Sequence, residues 1–286
     1  MSRGARVVVV GGTNVDVVAR PGAAPVAATS NPGRVAVTAG GVGRNVAENL
    51  ARLGTPTALV SAVGDDAHGR LAIEATAAAG VDVGPVVTVP GARTGCYVAL
   101  LDDDGELVGA VSDMTCPLRP ADLDVALVAA ADLVVLDGNL DPDTLAAAFD
   151  AARGPVVLDP VSVPKAARLA AALGGRRLRL LSGGDAELAP LADVRADLVW
   201  ERRGADGSTL RGEALRRPVE TAALPVEVVD VTGAGDAMLA AWCHATLAGA
   251  DPLEAAAYGH AAAALTVGGD RTVRPDLTDE LVRSLL

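Results

Sequence analysis

Four short apolar runs, each stopping at small or polar residues, limit the architectures open to this chain more than any other feature. Arg6–Val10 stops at Gly11-Gly12-Thr13-Asn14 and Leu133–Leu136 at Asp137-Gly138-Asn139. Pro155–Leu158 stops at Asp159-Pro160-Val161-Ser162, and Leu178–Leu181 at Ser182-Gly183-Gly184. Runs this short and this uniformly apolar read as buried parallel strands. Helical stretches separate them; Asp141-Pro142, for example, caps one that continues to Arg153. The alternation predicts an α/β fold, a doubly wound, mostly parallel sheet flanked by helices. Such sheets bind ligands beyond the carboxyl ends of their strands, where these polar residues recur, so one long crevice is implied.

Two stretches depart from the alternation. Residues 17–39 carry Pro21, Pro25 and Pro32 and no convincing helix. Cys96–Leu101 and Glu106–Ser112 alternate around Asp102-Asp103-Asp104-Gly105, a hairpin pattern. Extended pieces that leave the main sheet predict a small β-strand lid, with segments at about 17–39 and 95–112 of a single domain covering residues 1–286.

Composition narrows the partners. The formal charge of −12 opposes nucleic acid and anionic membranes. Two Trp, two Tyr and one Phe provide no stacking platform for single strands. A small molecule is the expected partner. Cys96, Cys116 and Cys243 lack the spacing of a disulfide framework or a zinc site. Met1-Ser2-Arg3 leads almost directly into the first strand, with no span-length apolar run anywhere, so a cytoplasmic protein is expected. Lys165 is the only lysine and is not in a Walker A loop. Any nucleotide phosphate must therefore be met by backbone N–H groups, arginines and metal.

The stretch Val229-Asp230-Val231-Thr232-Gly233-Ala234-Gly235-Asp236 predicts strand, turn and helix in succession. A helix N-terminus offers unpaired N–H groups and partial positive charge, which suit an anion. Asp236 in the first turn is placed to take a proton from a substrate hydroxyl. A second glycine-rich start, Gly40-Gly41-Val42-Gly43-Arg44-Asn45, opens a helix that stops at Gly54-Thr55-Pro56. Asn14 and Asp16, just past the first strand, can offer an amide and a carboxylate to sugar hydroxyls.

These two glycine-rich signatures, in this order and spacing, resemble those of the ribokinase-like (PfkB) family of sugar and nucleoside kinases over nearly the whole chain. Ser30-Asn31-Pro32-Gly33, Ser112-Asp113-Met114 and Asp159-Pro160-Val161-Ser162 resemble its pseudouridine-kinase branch. The resemblance implies transfer of phosphate from ATP, with Mg²⁺, to the 5′-hydroxyl of a nucleoside. Asp236 would be the base, and the N–H groups of Gly233, Ala234 and Gly235 the anion hole. Asn14, Asp16, Asn31, Gly41, Arg44, Asn45, Asp113 and Asn139 would hold the acceptor. Thr232, Gly204, Gly207 and Lys165 would serve the nucleotide and Glu187 and Asp230 the metals, including a monovalent cation such as K⁺. Lid strands that pair between subunits would make a homodimer. The chain departs from the family pattern on the ATP side. Gly184-Asp185-Ala186-Glu187 keeps the carboxylate of an Asn-x-x-Glu motif without its amide, and the stretch from Glu187 to Gly204 is short.

Overall fold

The computed structural model describes residues 6–114 and 116–286. The Met1-Ser2-Arg3 start lies outside the described residues. The first strand, β1 (Val7–Val10), is four consecutive valines, all buried. The chain then leaves the main layer through β2 (Asn14–Pro21) and β3 (Gly33–Gly40) and re-enters it by α1 (Val42–Arg52) and β4 (Thr57–Gly64). Helix α2 (Ala67–Ala78) leads to the short β5 (Val86–Val89), and β6 (Gly95–Leu101) and β7 (Leu107–Asp113) form the hairpin. A regular passage follows: α3 (Val125–Ala130), β8 (Leu133–Asp137), α4 (Pro142–Ala151), β9 (Val156–Asp159), α5 (Val163–Leu169), β10 (Arg177–Gly184), α6 (Asp185–Leu188) and β11 (Arg195–Arg202). Strands β12 (Ser208–Gly212) and β13 (Val219–Thr221) precede α7 (Ala234–Leu247), α8 (Pro252–Val267) and α9 (Asp279–Arg283).

Nine strands form the main sheet in the order β13-β12-β11-β10-β9-β8-β1-β4-β5. All neighbours are parallel except at the β12 and β13 edge. Alternation along the strands sends side chains into two cores. Val7, Val9, Leu133, Val135 and Trp200 pack beneath α1, α7 and α8. Val8, Val10, Val134, Leu136 and Leu158 pack with α4 and α5 on the opposite face. Helices on both faces leave the strands no solvent side, which is why these runs carry no polar alternation.

Strands β3-β2-β6-β7 make a separate four-stranded sheet, so the extended segments at 17–39 and 95–112 do leave the main layer. Between β10 and β11 the chain makes only α6 and a single 3₁₀ turn at Ala189–Leu191, the shortening expected after Glu187. One expectation is corrected. The β-branched stretch from Val226 to Val231 is not a strand; it is irregular, with Val229 59% and Val231 69% exposed. Its N–H groups at Val229 and Asp230 turn to the Val267 carbonyl at the end of α8.

Candidate active site

The side expected to take the acceptor, the sugar side, is built where β1 and β8 end. Helix α1 starts on Gly41 at φ +101°, where a side chain would run into the Gly12 carbonyl, so only glycine fits. Asp137, at the end of β8 and fully buried, ties the two glycine-rich loops together. Its Oδ2 accepts the N–H of Gly12 at 2.9 Å, that of Gly43 at 2.7 Å and Asn139 Nδ2 at 3.0 Å. Burial pushes its carboxyl above the usual range, against those hydrogen bonds. Asn14 donates from Nδ2 to Asp16 Oδ1 at 2.7 Å, and burial raises Asp16 against that bond and the charge of Arg44. Arg44 itself faces away from the crevice. It is buried in an ion pair with Glu48 and donates to the Ala39 carbonyl and to Asn45 Oδ1 at 3.0 Å. Its place is behind Asn45, fixing which end of the amide points forward.

That orientation carries Asn45 Nδ2 to Asp236 Oδ2, 2.9 Å away, across 191 residues of sequence. Asp236 sits in the first turn of α7, whose N-cap Gly233 has φ +81°. Among the described residues, the N–H groups of Gly233 and Gly235 have no protein acceptor, while Ala234 N–H closes a turn on Val231 O at 3.3 Å. The Asp236 carboxyl is pushed up to about 7. Burial is the main cause and the negative charge of Asp159 the next, with Asn45 and Arg202 pulling the other way. A carboxylate poised near neutrality suits a general base.

The side expected to take the nucleotide is a larger cavity of about 630 Å³ behind this elbow. Val226, Val228, Val231 and Met238 give it an apolar wall, and Gly204 and Gly207, both at positive φ, a thin one. The irregular valine stretch is thus a cavity wall, which explains its exposed side chains. Glu187 reaches this cavity with Oε2 accepting Gly184 N–H at 2.8 Å. Arg202, at the end of β11, donates to Asp159 Oδ2 at 2.8 Å and to the Gly235 carbonyl at 3.0 Å. Asp230 folds back on Thr232 N–H at 2.8 Å at the mouth of the elbow.

Three expected residues lie elsewhere. Lys165 lines the sugar-side cavity of about 310 Å³, not the nucleotide one. Helix α5 follows β9 so closely that its first turn faces the end of β8, where Lys165 Nζ donates to Asn139 Oδ1 at 2.5 Å beside the buried Asp137. Asp113 pairs in register with Cys96 and Val15, the sheet face opposite Asp16, and approaches Arg93 at 3.5 Å. Asn31 is exposed and closes the β2–β3 turn on Val26. Conversely, Asp137, Asp159 and Arg202 belong to the site and were not singled out as site residues. The two aspartates carried the strand-end signal already; an arginine ending a strand reads like any solvated surface residue.

A carboxyl pushed up to about 7 in the first turn of a helix, in a doubly wound fold with one cavity of about 310 Å³ and another of about 630 Å³, fits a kinase that phosphorylates a carbohydrate or nucleoside hydroxyl. Comparison makes this particular: the model of the pfkB family carbohydrate kinases matches residues 5–278, and the chain belongs to that family. It is 32% identical to the pseudouridine kinase of Escherichia coli over 98% of this chain and 96% of that one. It is 33% identical to the ATP-dependent ribose-1-phosphate kinase of Halopiger xanaduensis over 80% of each chain. The solved Arabidopsis thaliana ribokinase complexed with ribose and ATP superposes with a TM-score of 0.80 at 25% identity, covering 99% of both chains.

Proposed function

We propose that the acceptor is pseudouridine and that its 5′-hydroxyl receives the γ-phosphoryl group of ATP. The observation that carries this reading is Lys165 in the sugar-side cavity. An ammonium only donates hydrogen bonds, and Asn139 takes just one of its three N–H groups. Pentose hydroxyls can accept from this group, and the carbonyl oxygens of a uracil ring add acceptors that donate nothing back. Full-length likeness to the Escherichia coli pseudouridine kinase supports the same choice.

In this mechanism Asn14 and Asp16 hold the ribose, and Asn45 orients Asp236. Asp236 takes the hydroxyl proton while the N–H groups at the start of α7 receive the transferring phosphoryl. Positioning and charge neutralisation carry most of phosphoryl transfer. Mg²⁺ fits a site of this kind. It commonly takes one or two carboxylates plus the substrate's phosphates, and Glu187 and Asp159 stand in the right region. When bound, the metal supplies screening of the phosphate charge. Asp230 and Thr232 remain the proposed monovalent-cation residues. The four-stranded sheet acts as the lid that excludes water. By register Val37, Val98 and Val111 share one of its faces and all three are exposed, which supports a homodimer formed there.

A second reading has its own observation. Arg168 joins Lys165 at the wall of the same cavity, and two cations also suit a phosphate on C1 of ribose. The test is ADP release with ATP and Mg²⁺ against pseudouridine, uridine, adenosine, ribose, fructose and ribose 1-phosphate. Turnover confined to pseudouridine supports the proposal. Preference for ribose 1-phosphate replaces it with the second reading. Silence throughout, with pseudouridine still raising Tm, makes the protein a nucleoside-binding member without turnover.

A further inference from the structure

We propose that Arg202 is a catalytic residue of the transfer, its guanidinium donating hydrogen bonds to the phosphoryl group as that group passes from ATP to the acceptor. Among the described residues, Arg202 is the one Lys or Arg lining the nucleotide cavity. The single lysine of the chain is committed to the sugar side. Around Arg202 stand three carboxylates: Asp159 at 2.8 Å, Glu187 at 3.9 Å, and Asp236 one turn into α7. Without a cation this end of the crevice would repel a triphosphate.

The way the guanidinium is held argues for more than a buried ion pair. An arginine serving Asp159 alone would engage it with two parallel N–H groups. Here one N–H goes to Asp159 and one to the Gly235 carbonyl, leaving three of five donors without a protein partner among the described residues. The group also lies flat against the elbow. A Cβ on Gly235 would sit 2.8 Å from Arg202 Nη1, so Arg202 packs against the last residue of the anion hole, next to Asp236. In the transfer, the acceptor oxygen bonds to the γ-phosphorus, and the bond from that phosphorus to the β–γ bridging oxygen breaks. The bond's electron pair leaves on ADP, and the acceptor's proton goes to Asp236. Arg202 keeps its own protons and stabilises the charge on the peripheral phosphoryl oxygens.

The inference needs the kinase but not pseudouridine as its acceptor. The test compares the full-length wild type with Arg202→Gln, Arg202→Lys and the double variant Arg202→Gln, Asp159→Asn. Two readouts are taken: kcat on whichever acceptor the wild type uses, and ATP affinity by calorimetry in EDTA. Arg202→Gln should lower kcat by about 10³-fold and weaken metal-free ATP binding about tenfold, with part of both regained by Arg202→Lys. The double variant, relieved of the unpaired buried carboxylate, should bind metal-free ATP as weakly as Arg202→Gln does. The acid limb of the pH–rate profile should also move to higher pH. Of the groups around Asp236, Arg202 and Asn45 hold its carboxyl down, while Asp159 and Asp137 push it up. A double variant restored to wild-type metal-free ATP affinity, or that affinity unchanged in Arg202→Gln, would reduce Arg202 to the partner of Asp159. If no acceptor on the panel is turned over, the pseudouridine reading and the catalytic role of Arg202 both fall, and the ATP titrations decide only whether Arg202 meets the phosphates.

Discussion

Replacing Asp236 with Asn should remove activity and, above neutral pH, make the protein more stable. The two effects have one cause. The carboxyl is pushed up to about 7 because burial and Asp159 oppose its charge. Below pH 4 it is protonated in both the folded and unfolded chain, so it contributes nothing to the pH dependence. Between about 4 and 7 the folded chain holds the proton that the unfolded chain has lost, so stability falls as pH rises through that window. At pH 8 the charged, buried carboxylate costs about 2–4 kcal/mol. Asn is neutral at every pH and keeps an oxygen for Asn45 Nδ2, which now lies 2.9 Å from Asp236. Asp236→Asn should therefore raise Tm at pH 8 by about 3–6 °C and leave it nearly unchanged at pH 4. Scanning calorimetry of both proteins at the two pH values measures this. The same carboxyl should give the wild type a kcat/KM that falls tenfold per pH unit below about 7. Equal Tm differences at pH 4 and 8 would refute the burial argument, and full turnover by the Asn variant would refute the base.

Other expectations are smaller. Lys165→Met should raise KM for pseudouridine about 10–100-fold while leaving that for ribose within about twofold, in paired steady-state assays. Ser208→Ala strips the acceptor from buried Trp200 Nε1, 2.8 Å away, and the partner from His260 Nε2 at 2.7 Å. It should cost about 1–3 kcal/mol by urea unfolding. Val98→Asp puts a charge in the exposed apolar face of the four-stranded sheet and should convert a dimer to monomer by sedimentation. An unchanged sedimentation coefficient would place any interface elsewhere.

The parts of the fold that could be read from the chain are those where one physical demand acts alone. β1, β8 and β9 are buried on both faces, so nothing but apolar residues appears in them until the carboxyl end. Gly41 and Gly233 must adopt positive φ, and glycine reports that directly. Reading failed where a residue answered to two demands. Val226, Val228 and Val231 are β-formers by propensity, yet they follow the last sheet edge and line a cavity, and tertiary context decided. Arg44 lies in the first turn of α1, beside the site, but its length lets it turn inward to Glu48 and Asn45. Asp113 followed hairpin parity, and one residue of register sets which face it takes. Arg202 depends on Asp159, 43 positions away, and no local pattern encodes such a pair.

The position of β1 sets a timetable for synthesis. Its register runs Val7 to Thr57 on one side and Val7 to Leu133 on the other. At ribosomal speeds of about 5–20 residues per second, the second partner emerges roughly 6–25 s after the first strand. During that interval four consecutive valines have at most one neighbour. A short uncharged β-branched segment with an open edge is the kind that joins strands of other chains. Strands β8 to β11 carry no such delay, since each lies beside the next in sequence. The centre of the finished sheet is therefore the strand that waits longest for its second neighbour, and yield at high expression should depend on chaperone capacity more than on the stability of the completed fold.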